Sequence, residues 1–190
     1  VLKGGGALVV SMSVPVSLTP GVSKARASSA LTRPLSPAQL DTYIAIGADD
    51  SVTVYFGKMD MGQGLDVAIG QIVAEELDVP FERVTVVMGD TALTVDQGGG
   101  SASSGIQRGA KPLRSAAAEA RRILFELAAK RFKVPPSRLE VAHGVISVKG
   151  DGSKKASYGK LIGGRHFNVT LKWNGKYGNR LDARGKAKPK

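Results

Sequence analysis

The sequence predicts an α+β fold, a small mixed sheet with helices on one face. Three observations predict it. Short apolar runs with a two-residue period alternate with longer runs of helical period, giving a strand–helix–strand–helix order. Two of the short runs face each other across turn-forming residues, as hairpins do. The helical runs are bounded by glycine and proline where helices start and stop. No internal repeat is visible.

The elements follow in chain order. Tyr43-Ile44-Ala45-Ile46 and Val52-Thr53-Val54-Tyr55-Phe56 read as strands joined through Gly47-Ala48-Asp49-Asp50-Ser51. Leu65 to Leu77 reads as an amphipathic helix, with Leu65, Ile69, Ile72, Val73 and Leu77 on one side. Val79-Pro80 ends it, because the residue before a proline avoids the helical region. Val84 to Met88 is a further strand, and Asp90 to Gly109 a long polar loop. Pro112 to Phe132 is the longest helix, closed by Pro135-Pro136. Leu139 to Val148 is a hairpin turning at His143-Gly144. Ser157 caps a short helix through Ile162, and His166 to Trp173 holds one strand.

Composition narrows the function. A chain of 190 residues suits one domain, and with 42% hydrophobic and 5% aromatic residues its core is built from Val, Leu, Ile and Ala. With no cysteine there is no disulfide, thiolate metal site or cysteine-held iron–sulfur cluster in this sequence. Its 2 histidines, His143 and His166, argue against a multi-histidine metal site. The net charge of +11 suggests nucleic acid until it is mapped. Lys149 to Lys190 has twelve basic and two acidic residues, and Val1 to Val148 fifteen and fourteen. The body is near neutral, so the charge reads as a solvated tail and nucleic acid is not an expected partner.

This divides the chain into three. Residues 1–39 form an export-signal-like segment and a linker rich in Ser, Pro, Thr and Ala. Residues 40–148 form the α+β body, and 149–190 a basic C-terminal segment.

Two loops carry candidate chemistry. Gly62-Gln63-Gly64 lies between a strand and a helix, where unpaired N–H groups and the positive dipole end can meet an anionic or polar ligand. The Gln63 amide both donates and accepts. Gly98 to Gly105 offers glycines and small hydroxyl residues before the longest helix, without the lysine arrangement of a P-loop. Glu75 and Glu76, neighbours on a helix, point in different directions and read as surface charges. Asp60, Asp66 and Asp90 read equally as turn or cap residues, and His143 as a turn residue. No nucleophile–base set can be assembled.

The run Gly57-Lys58-Met59-Asp60-Met61-Gly62-Gln63-Gly64-Leu65-Asp66, with Ala74-Glu75-Glu76-Leu77 at the helix end, resembles a pterin-contacting segment of the molybdenum hydroxylase large subunits. These are the xanthine dehydrogenase and aldehyde oxidase type enzymes, and the isoquinoline 1-oxidoreductase β-subunit branch is the most similar. The resemblance extends from about Asp41 to Arg184, through Ser157-Tyr158-Gly159-Lys160-Leu161 and Leu181-Asp182-Ala183-Arg184. It implies part of a molybdopterin-binding domain, the N-terminal portion of a larger subunit. It also implies hydroxylation of aldehydes or N-heterocycles with water-derived oxygen. Gly62, Gln63 and Gly64 would be cofactor-binding, and so would Gly100, Ser101, Ala102, Ser103 and Ser104. The cofactor would be molybdopterin, or its cytosine dinucleotide form, with molybdenum held by the pterin and not by side chains. A [2Fe-2S] small subunit, and in some members a c-type cytochrome, would take the electrons. The general-base glutamate of such enzymes lies in a later part of the large subunit, so this portion alone would be inactive.

The first residues, Leu2-Lys3-Gly4-Gly5-Gly6-Ala7, resemble a twin-arginine export signal just after its arginine pair, which implies a periplasmic location. A different class of function, a secreted non-catalytic binding module with a basic tail, is the alternative.

Overall fold

The computed structural model describes residues 35–173 and 183–190. The export-signal-like segment and most of the linker, residues 1–34, therefore lie outside the described residues. The class is α+β, and among the described residues the strands divide between two three-stranded sheets and a two-stranded ribbon.

The first sheet is built from β1 (Ile44–Ile46), β2 (Val52–Phe56) and β3 (Val84–Met88) in that order. β1 and β2 pair antiparallel, with Ile44 opposite Val54. Val52, Val54 and Phe56 are buried while Thr53 and Tyr55 are half-buried, the two-residue alternation of a strand. β2 and β3 run parallel in register from Val52 opposite Val84 to Phe56 opposite Met88. A parallel pair needs a crossover, and α1 (Leu65–Leu77) supplies it. Leu65, Ile69, Val73 and Leu77 enter the core from its buried stripe. At its end Asp78 adopts the left-handed conformation and donates to the Ala74 and Glu75 carbonyls.

The second sheet is the antiparallel meander of β4 (Leu139–Ala142), β5 (Val145–Val148) and β6 (Asp151–Ser157). α2 (Ala110–Phe132) packs on α1 and reaches both sheets, burying Leu113, Ala116, Ala117, Ala120, Leu124 and Ala128. It opens with a wide turn over Gly105–Gly109.

The folded unit does not stop at residue 148, where the charge changes. β6 and α3 (Tyr158–Ile162) follow directly. Tyr158, Leu161, Ile162, Phe167 and Leu171 join the same core as α1 and α2. The buried Tyr158 hydroxyl donates to the Leu77 carbonyl at 2.7 Å. Charge misplaced this boundary because β6 exposes Lys154 and Lys155 and sends Ala156 inward. At the other end, Leu171 N–H donates to Ala38 O and Tyr43 Oη to Pro37 O, so the fold begins before Leu40. β7 (Lys172–Trp173) pairs with β8 (Ala183–Arg184) beyond it.

Glu76 corrects another expectation. It is not a surface charge but 1% exposed, bound to Arg121 at 2.9 Å and Arg114 at 3.4 Å. The Lys190 N–H also donates to it. Glu119 on α2, equally buried, accepts from Arg122 and from the N–H groups of Lys186 and Ala187. The two carboxylates hold residues 185–190 against the helix pair.

Candidate functional site

β2 ends at Phe56, and from there the chain turns sharply towards α1. Gly57 lets the backbone at Val95 approach closely, since a Cβ there would collide with the Val95 carbonyl. Asp60 then organises the loop. Its Oδ1 accepts from Gly62 N–H at 2.7 Å and Gln63 N–H at 2.9 Å, and its Oδ2 from Asp66 N–H at 3.2 Å. The last of these occupies a first-turn donor of α1 that Gly64, the residue before the helix, has no side chain to cap. Desolvation would raise the Asp60 pKa, but the bonds from Asp66, Gly62 and Leu65 together outweigh it and lower the carboxyl to about 2. Gly62 and Gly64 are left-handed, at φ 96° and 73°, and a Cβ on either would meet nothing within 4 Å. Both therefore leave their Cα faces uncovered, although the Gly62 N–H is already taken by Asp60. Gln63 folds its Oε1 onto Met61 N–H at 2.7 Å, and its Nε2 has no partner among the described residues.

The second loop runs from Asp96 to Gly105 and leads into α2. Gln97, buried, accepts from Gly57 N–H at 2.7 Å and donates to Gly109 O at 3.3 Å. Ala102 and Ser103 both take positive φ, at 54° and 52°. Ser104 is 3% exposed, and its Oγ has no hydrogen-bond partner among the described residues. Buried hydroxyls are nearly always paired, so an orphan at this place fits a ligand atom that completes it.

The structure brings the two sequence-derived sets together. A Cβ on Gly100 would stand 3.6 Å from Met61 Cε, and one on Gly105 would press on Leu65, the first residue of α1. Gly62, Gln63 and Gly64 thus lie beside Gly100 to Ser104, with the starts of α1 and α2 behind them. Met61 and Ile106 are exposed apolar side chains here. A shallow cavity lined by Glu75, Asp78, His143 and Lys190 lies at the other end of α1, away from both loops.

Sequence reasoning missed Lys58 and Gln97. Lys58 is buried and donates from Nζ to Gly98 O at 3.1 Å and Gly99 O at 2.7 Å. Gln97 stands beside the run Gly98 to Gly100 and Lys58 beside the single Gly57, which are the local signals available. Their partners are backbone atoms 12 to 41 residues away, which no local pattern encodes. His143 occupies the hairpin turn with φ 50°. Among the described residues no group of three or more acidic or histidine side chains is placed to hold a metal ion. The donors this chain offers are backbone N–H, amide and hydroxyl, which suit an organic cofactor rather than a bare ion.

A family model described as a molybdopterin cofactor-binding domain matches residues 12–190. The chain is 34% identical over 169 residues to one of the subunits of nicotinate dehydrogenase from Pseudomonas putida, covering 89% of this chain and 14% of that one. It is 30% identical over 162 residues to the isoquinoline 1-oxidoreductase β-subunit of Brevundimonas diminuta, covering 80% and 20%. Among solved structures, quinoline 2-oxidoreductase from Pseudomonas putida 86 superposes with a TM-score of 0.54 at 27% identity, over 63% of this chain and 15% of that one. The chain thus spans a fifth or less of the length of these relatives. With two glycine-rich loops at the starts of two packed helices and a family match over residues 12–190, this chain belongs to the molybdopterin cofactor-binding domain family.

Proposed function

We propose that this chain forms one wall of the molybdenum–pterin site in an oxidoreductase subunit that hydroxylates aldehydes or N-heterocycles. Gly62, Gln63 and Gly64 contact the cofactor from one side, and Gly100, Ser101, Ala102, Ser103 and Ser104 from the other. The observation that carries this reading is the buried, unpartnered Ser104 Oγ beside open glycine backbone at the starts of α1 and α2. When bound, the molybdenum centre supplies oxygen transfer and the acceptance of electrons. The residues of this chain bind and orient. Backbone N–H groups of the second loop and the Gln63 side-chain amide meet polar edges of the ligand, and the Ser104 hydroxyl gains a partner.

The substrate class is supported by the relatives named for nicotinate and isoquinoline. The remainder of the large subunit closes the site, a [2Fe-2S] subunit and in some assemblies a c-type cytochrome carry electrons away, and the cofactor takes the cytosine dinucleotide form. The Gly-rich apolar start, Lys3 to Val10, supports export to the periplasm by a twin-arginine route. The binding-module alternative has no observation in its favour.

Mass spectrometry of the intact purified assembly, with metal analysis and acid release of the nucleotide, tests the reading. Stoichiometric molybdenum, a released cytosine nucleotide and co-purifying electron-transfer subunits are the expected result. An assembly free of molybdenum overturns it.

A further inference from the structure

We propose that Lys58 is a positioning residue, a cationic clasp that joins the two loops and turns the N–H groups of Gly99 and Gly100 towards the ligand. The inference deepens the cofactor reading and rests on it for the identity of that ligand.

Lys58 belongs to the first loop by sequence and to the second by contact. It sits two residues before Asp60, yet its Nζ donates to Gly98 O at 3.1 Å and Gly99 O at 2.7 Å. At 3% exposure the ammonium has exchanged most of its water for these carbonyls. Desolvation pulls its pKa down and Arg108 adds to that, while Asp96 opposes both. A lysine is not buried at such a cost to fill space, since an apolar side chain fills it without desolvating a charge.

The consequence for the loop follows from covalent geometry. The peptides are trans, so each carbonyl and the next N–H point in opposite directions. Holding the Gly98 and Gly99 carbonyls on Lys58 aims the N–H groups of Gly99 and Gly100 away from it. Neither N–H donates to any described residue, whereas Gly98 N–H is taken by Asp96. Two successive free N–H groups form a concavity for an acceptor-rich or anionic group. Gln97 pins the neighbouring turn to Gly57 and Gly109, so the clasp acts on a loop already fixed at its base.

The test compares Lys58→Met, Lys58→Arg and Lys58→Gln in the intact protein, by amide hydrogen exchange and molybdenum content. Lys58→Met should raise exchange across residues 98–104 by about tenfold and leave the centres of α1 and α2 unchanged. Lys58→Arg, which keeps the charge and the donors, should restore slow exchange in the loop. If Lys58→Met does not fold, Lys58→Gln is read in its place, with a smaller local rise. Molybdenum content should fall with loop order and recover with Lys58→Arg. Unchanged loop exchange overturns the clasp whatever the metal content. So does a rise spread through the whole domain, or a Lys58→Arg protein as loose as Lys58→Met. A loosened loop with full molybdenum content supports the clasp and overturns the cofactor reading of the loop instead.

Discussion

Ser104 and Gln63 separate binding from folding. A buried hydroxyl without a partner lowers stability, so Ser104→Ala should leave the cofactor-free protein unharmed or more stable, by up to about 1 kcal/mol. The same change should reduce molybdenum occupancy, because the ligand atom that completes the hydroxyl loses its bond. Gln63→Ala removes an exposed amide whose one bond is local, to Met61 N–H. Its thermal midpoint should barely move, while cofactor retention weakens by about 1–3 kcal/mol. Occupancy and thermal melting of both variants check this, and unchanged occupancy returns both residues to turn chemistry. The glycines and hydroxyls of these loops were legible in the sequence because donors cluster at helix starts. Lys58 was not, because nothing local distinguishes a buried lysine from a solvated one.

At the scale of elements, periodicity was a sound guide where one face is buried. Leu65–Leu77 and Val84–Met88 are bounded in the structure where the apolar spacing bounds them. It failed at β6, whose pairing with β5 is a backbone matter and whose side chains are mostly exposed. It failed at Glu76 because burial there depends on Arg114 and Arg121 of α2. Glu76→Ala should destabilise the protein by about 2 kcal/mol, less than a fully buried pair, because both arginines keep solvent contact. A denaturant midpoint measures it.

Glu119 adds a pH dependence to the same helix pair. Desolvation would raise its pKa, but Arg122 and the N–H groups of Ala187 and Lys186 outweigh it and hold the carboxyl below its usual range. A depressed folded-state pKa gives stability that is present above the ordinary carboxylate value and lost as pH falls through the folded one. Acidification below about pH 5 should therefore erode stability in the native protein more than in Glu119→Gln. Denaturation midpoints taken across that range decide it, and parallel curves refute the assignment.

The whole molecule joins two kinds of pairing. β4 and β5 meet across the two-residue turn His143-Gly144, and β6 follows β5 with Lys149 and Gly150 between them. β2 and β3 pair only after all of α1 has crossed over. Contacts between near neighbours in sequence form quickly, and those that close a long stretch form slowly. We therefore expect the meander to gain protection early in refolding and the parallel pair late, an order that pulse-labelled hydrogen exchange reads directly. Met59 to Gly64 leaves the end of β2, and the loop from Asp96 follows β3. On this timetable the two loops reach their final places last, so a cofactor present during synthesis would meet a scaffold complete everywhere except where it binds.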